Sequence, residues 1–376
     1  MINLRLLSFI AMMLCFSFQA WAQDFPYYNI KASLDPLENQ IKVIQKISYA
    51  HQKDFATNAI YLNDWNNAYS STESPLAKRL VEEYNRSFYL SGKSKRGATI
   101  IDQIWVNGQI TAWEREEDQI DAVKINLPKE IAKGEQLKIK INYTLKLPDA
   151  KFTGYGITDK EHYFLENIFL TIAWQNEQGW APISHLDLED VPNSKGNYTL
   201  AFSLPKHLKL QSNLVRFKTA NTAEITTYSF QNKDKKQLLF QIGKEEAYTA
   251  ISFDGKEVYS NLDTNGLSEA GSRYSLKKID SFLTNSLGAY PNERILLSQQ
   301  KYEKRPFYGL TLVPGFLKPF PPQFEFEIKA LNTYLHHYLN ELLPLHPRED
   351  YWLIGGLHTY LMMRYVLEYY PDKKLL

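Results

Sequence analysis

Between residues 28 and 254 apolar and polar side chains alternate with a period of two. "YNIKASL" puts Tyr28, Ile30, Ala32 and Leu34 on one face. "LKIKINYTLKL" does the same with Leu137, Ile139, Ile141, Tyr143, Leu145 and Leu147, and "YTLAFSL" with Tyr198, Leu200, Phe202 and Leu204. The pairs Asn107-Gly108, Lys133-Gly134 and Pro148-Asp149 are turn signals between such runs. A helical interruption, "SPLAKRLVEEYNRSF", lies near residues 74–88. The pattern predicts a large antiparallel β-sandwich-type domain.

After the polar segment "SNLDTNGLSEAG" the period becomes helical. "RYSLKKIDSFLTNSLG" sets Leu276, Ile279, Phe282, Leu283 and Leu287 on one stripe, closed by Gly288 with Pro291 beyond. "RILLSQQ" reads as a strand, and the prolines of "KPFPPQF" lead from a loop into a helix. That helix repeats Ile328, Leu331, Leu335, Tyr338 and Leu342 at helical spacing. Another is expected from near Asp350, burying Leu353, Leu357, Tyr360 and Leu361. No internal repeat or low-complexity tract appears.

A chain of 376 residues suggests two domains rather than one core, and its net charge of +1 gives no reason to expect a nucleic-acid partner. The opening "MINLRLLSFIAMMLCFSFQAWAQD" has a basic start at Arg5, an apolar run over residues 6–18, and Ala20-Trp21-Ala22 as a small-x-small cleavage site. It reads as a secretory signal cut after Ala22. Leu14 stands where a lipoprotein signal needs a small residue, and the only cysteine, Cys15, lies inside the signal. The mature chain is therefore expected to have no disulfide, thiolate metal site or cysteine nucleophile. Export without disulfides fits a bacterial envelope protein, periplasmic or extracellular. No later segment is apolar enough to span a bilayer.

The segment "NTYLHHYLNELLPLHPREDYWLIGGLHTYLMMRYV" has the rhythm of a two-helix metal site. Such sites take two His, one turn apart, from the first helix, with a Glu beside the first His as base. A Glu on the second helix is the third ligand, and water takes the open position. "DYWLIGGLHTY" resembles the W-L-x-E-G block of the aminopeptidase N family of zinc metallopeptidases, with Trp352, Leu353, Gly356 and Tyr360 in place. Counting back from it, His336 occupies the second histidine position. Asn332 takes the first, Thr333 the general-base position, and Gly355 the third-ligand position. "FYGLTLVPGF" best matches the family's amine-binding motif: Gly309 fits, and Leu312 replaces the acid. Upstream, "GWAPISHLDLEDVPNSKGNYTLAFSLP" resembles the family's tryptophan–proline turn and following strand at Trp180, Pro182, Tyr198 and Pro205.

The resemblance implies a signal over residues 1–22 and a saddle-like β domain over 23–258. Residues 259–376 would begin a mainly helical α+β, thermolysin-like domain, incomplete because the family's distal tyrosine and C-terminal helices would lie beyond it. It also implies a lost site, with no catalytic residue, no metal and a groove for a peptide or protein partner. Two alternatives stand beside this reading. In one, a rearranged zinc site uses His337, His346 or His358, with His358 one turn past Gly355 and His337 paired with Glu341; in the other, the chain is a structural envelope adaptor. Asn332 is a poor zinc donor, and the Thr333 hydroxyl cannot act as base near neutral pH. Glu349 and Asp350 are read as favouring the start of the second helix, and Trp174 and Trp180 as packing residues.

Overall fold

The computed structural model describes residues 25–187, 191–244, 248–292, 294–304, 306–307, 320–343, 345–346 and 348–372. The signal-like segment, Gly309 and Leu312 lie outside these residues. The chain is rich in strands, arranged in several sheets, with most of its helix after residue 268.

The largest sheet has eight strands. In spatial order they are Arg216–Asn221, Ile225–Lys235, Gly196–Pro205, Tyr27–Asp35, Gln40–Ala50, Gln136–Lys146, Ala98–Val106 and Gln109–Ile110. Tyr27–Asp35 runs parallel to Gly196–Pro205, and the other neighbours in this sheet are antiparallel. Alternation sends one set of side chains from each long strand inward, so Leu137, Ile139, Ile141, Tyr143 and Leu145 are all buried. They share one core with Ile60 and Val123 of one four-stranded sheet and with Tyr163 and Phe240 of another. The interruption near residue 74 is a short helix, α1 (Pro75–Glu82), with Ser74 accepting the Ala77 N–H as N-cap.

A second core begins at Ile251 and runs to Val366. It contains the hairpin of Thr249–Phe253 and Lys256–Ser260, with Arg294–Leu297 added in parallel. Lys256–Ser260 spans the boundary expected at 258, and Val258 packs with the helices. The helices are α2 (Glu269–Leu287), α3 (Gln299–Lys304), α4 (Pro322–Leu342) and α5 (Tyr351–Tyr369). Ser268 caps α2 and Gly288, at φ 90°, ends it; Pro322 opens α4. No helix of the described residues is long and apolar enough to cross a membrane.

The stripe expected on α4 is buried apart from half-buried Leu342, but that on α5 needs correction. Leu353 and Tyr360 are 40% and 58% exposed, while Ile354, Leu361, Met362, Tyr365 and Val366 are the buried residues. Apolar residues surround α5, so the period does not single out a face and packing against α4 makes the choice.

Glu327 of α4, fully buried, ties three helices together. It accepts from Ser275 Oγ of α2 at 2.9 Å and from the hydroxyls of Tyr365 and Tyr370 at 2.7 and 2.6 Å, and pairs with Lys278 Nζ at 2.5 Å. The rings of Tyr365, Tyr369 and Tyr370 surround the same ammonium. Burial pushes the Glu327 carboxyl up, but Lys278 and the hydroxyls outweigh it and leave it below its ordinary value.

Removing one partner from this buried pair should be costly, so Lys278→Met should lose about 3–5 kcal/mol of stability in denaturant titrations. Because the folded value is depressed, the stabilisation is complete above the unfolded carboxyl value of about 4.3. It drains as pH falls through the folded value. Glu327→Gln should flatten this acid limb, and an unchanged limb would disprove the assignment.

Candidate functional site

Helices α4 and α5 place the four positions picked out by the sequence around one cavity. Asn332, Thr333, His336 and Gly355 line a space of about 290 Å³, together with His358, Tyr351 and Lys301. Asn332 and His336 are one turn apart on α4, and Gly355 and His358 face them from α5. The two-helix register read from the sequence therefore brings these positions together.

Several polar atoms of these residues bond to the helices themselves. Asn340 Nδ2 donates to His336 Nε2 at 3.0 Å. His358 Nε2 donates to the Asn332 carbonyl across the helix pair at 3.3 Å. Thr333, buried, gives its hydroxyl to the Lys329 carbonyl at 3.0 Å. A zinc site of this kind needs three protein donors and an open position. Here an amide, a hydroxyl, one imidazole already accepting a hydrogen bond, and a glycine occupy the positions, and this donor set does not fit zinc. Among the described residues no three His, Cys, Asp or Glu side chains group as a metal site.

The other histidines go elsewhere. His337, buried, bonds through Nδ1 to Gln237 Oε1 at 2.9 Å, in the strand-built part of the molecule. His346 meets Trp174 edge-on at 5.1 Å and accepts the Glu349 N–H through Nδ1. Asp350 is the residue before α5, but its carboxylate accepts the His346 N–H at 2.9 Å rather than a helix N–H. Trp180 packs on Tyr49 and Tyr61 and donates to Thr57 Oγ1. Glu341 has its carboxyl pushed up by burial, opposed by Lys235, Lys236 and Lys195.

A second cavity, of about 100 Å³, adjoins the first and shares Lys301, His336, Leu339, Asn340 and Ile354 with it. Its far wall, with Trp65, Tyr69 and Tyr155, comes from the strand-built side. Glu166 pairs with Lys301 of α3 at 3.1 Å, Asp187 pairs with Lys304, and Gln237 Nε2 donates to Glu166. Beside them Arg348 donates to the Ser184 carbonyl at 2.8 Å and Lys236 to the Leu343 carbonyl at 2.7 Å. Sequence reading missed this polar seam because its members are distant along the chain and match no spacing motif.

The loop at Ser184 is held by Asp121, which accepts the His185 N–H at 2.6 Å. Burial raises the Asp121 carboxyl to about 6, against hydrogen bonds that lower it.

This architecture is similar in fold to that of M1 zinc metallopeptidases. The M1 zinc metallopeptidase of Deinococcus radiodurans superposes with a TM-score of 0.53 at 14% identity, over 93% of this chain and 72% of that one. A mutant of the same enzyme bound to a Tyr-Ser-Ala substrate also gives 0.53, at 13% identity, over 92% and 71%. The likeness is one of fold. No family model matches the sequence, and no curated protein does.

Gly355 gives a direct check on the helix pair. A methyl group there would meet Tyr351 Cε1 at 3.6 Å, an ordinary contact, so packing does not require glycine. Gly355→Ala should therefore stabilise the protein by about 0.5–1 kcal/mol in chemical denaturation. A loss of stability would mean that α5 packs differently.

Proposed function

We propose that this chain is an exported, aminopeptidase-N-like protein that binds a peptide or protein without cleaving it. In this reading residues 23–258 and 259–376 correspond to the saddle-like β domain and the start of a thermolysin-like domain. The observation that carries it is the convergence of Asn332, Thr333, His336 and Gly355 on one cavity with a donor set unsuited to zinc. The neighbouring cavity, walled by Trp65, Tyr69 and Tyr155 and by paired charges, supplies aromatic and polar surface for a bound chain. Residues of the cavities would act by binding and orienting. Thr333 offers no base, and its hydroxyl is engaged with its own helix. Export to a bacterial periplasm or beyond is proposed from the N-terminal pattern alone.

Protein exposed to zinc and then dialysed should retain well under one equivalent, and aminoacyl-anilides should not be hydrolysed above background. Stoichiometric zinc that disappears in His336→Ala, or chelator-sensitive hydrolysis by pure protein, would overturn the proposal. Bound peptides should slow hydrogen exchange in α4, and their failure to do so would remove the binding function. The triple variant Asn332→His, Thr333→Glu and Gly355→Glu should gain a zinc-dependent rise in melting temperature without efficient peptidase activity. No rise would show that the register between α4 and α5 is wrong.

A further inference from the structure

The outer face of the eight-stranded sheet bears a charge pattern that the cavities do not use. Residues opposite one another on neighbouring strands form rows across Tyr27–Asp35, Gln40–Ala50, Gln136–Lys146 and Ala98–Val106. One row reads Asn29, Lys46, Lys140, Trp105. The next reads Lys31, Ile44, Asn142, Gln103, and the one after it Ser33, Lys42, Thr144, Ile100. Lys138 stands opposite Ser48. Lys46, Lys138, Lys140 and Trp105 border a shallow depression of about 370 Å³ on this face.

These lysines have few partners of their own. Among the described residues Lys31, Lys42, Lys46 and Lys138 form no ion pair and no side-chain hydrogen bond, and Lys140 lies over the Trp105 ring at 4.4 Å. The four strands carry two carboxylates: Asp102 at a bulge, and Asp35, which accepts the Leu37 and Glu38 N–H groups in its own turn. Lys46 and Lys140 face each other directly, an arrangement that destabilises paired strands. With 43 basic and 42 acidic residues in the whole chain, composition does not force such a cluster. Apolar groups stand among the ammonium groups, with Ile44 46% and Ile100 53% exposed.

The geometry points to a partner that accepts both kinds of group: a lipid surface rich in anionic, phosphate-bearing headgroups, on which this sheet face docks. A soluble polyanion would pair the lysines and leave Ile44 and Ile100 in water. At a bilayer the lysines reach headgroup phosphates, while the isoleucines and Trp105 enter the boundary with the acyl chains. The contact is peripheral. It needs no spanning segment, and it leaves the cavities between α4, α5 and the strand-built side free.

The test is co-sedimentation of the protein with vesicles of phosphatidylcholine alone or mixed with phosphatidylglycerol. Binding is expected only to the mixed vesicles and should weaken as salt rises. Lys46→Glu with Lys140→Glu should lower partitioning at least about tenfold, since each lysine near the surface contributes several-fold. Lys78→Glu, a single charge reversal on α1, should leave it unaltered. Ile44→Ser should weaken binding without changing the response to salt. Lys46→Glu alone sets opposite charges across the ladder, so its melting temperature should hold or rise, which separates lost binding from lost folding. Equal binding to neutral vesicles, full binding by the double variant, or capture of polyphosphate without vesicle binding would each overturn the proposal.

Discussion

Gln237 holds the seam on which the arrangement of the cavities depends. It is buried, and its amide joins three elements, donating to Glu166 and meeting His337 Nδ1 of α4, while Glu166 pairs with Lys301 of α3. An apolar seam would let the helices slide against the sheets, because burial of apolar surface is indifferent to direction. Hydrogen bonds between buried polar groups have fixed geometry, and losing one partner leaves another unsatisfied at a cost of about 1–3 kcal/mol. Gln237 thus helps to fix the rotation of α4. That rotation turns His336 and Asn340 toward the cavities and His337 toward the strands.

Within the helical part the same logic runs through Glu327. A carboxylate with no exposure is tolerable only when its lone pairs are filled, and here an ammonium and three hydroxyls from outside α4, with the Gln323 amide of α4 itself, fill them. The outside partners come from α2, from α5 and from Tyr370 just beyond it, so α4 is clamped near its beginning by Glu327 and toward its end by His337. The cavity residues Asn332, Thr333 and His336 lie between the two clamps. Hydrogen bonds and an ion pair on either side therefore hold these residues in position. In a zinc site the ion itself would link the two helices; here His358 makes a link to the Asn332 carbonyl.

Much of this was legible in the sequence where one rule acted alone. Period-two runs such as "LKIKINYTLKL" gave strands with the expected buried face, and Gly288 and Pro322 marked helix ends as their backbone constraints require. The W-L-x-x-G spacing placed Gly355 against Asn332 and His336. Legibility failed where tertiary contact decides between equivalent faces. On α5, Leu353 and Ile354 are both apolar, and only packing tells that Ile354 is the inward one. It failed also for the seam, since Glu166, Gln237 and Lys301 acquire meaning through three-dimensional proximity that no local spacing encodes.

Two glycines show how local cost separates structural need from other causes. At Gly156, with φ 115°, a Cβ would lie 2.0 Å from the Pro148 carbonyl oxygen, so the fold itself demands glycine there. Gly355 meets no such obstacle and sits in a helix interior, where glycine is unfavourable. On the function proposed above, Gly355 stands where the resembling family has a carboxylate, and an unpaired buried carboxylate would cost more than the glycine. The Lys46–Lys140 pair also carries a local penalty, eased on one side by the Trp105 ring beneath Lys140. On the proposals above, the glycine would mark a lost ligand position, and the lysines would meet lipid headgroups.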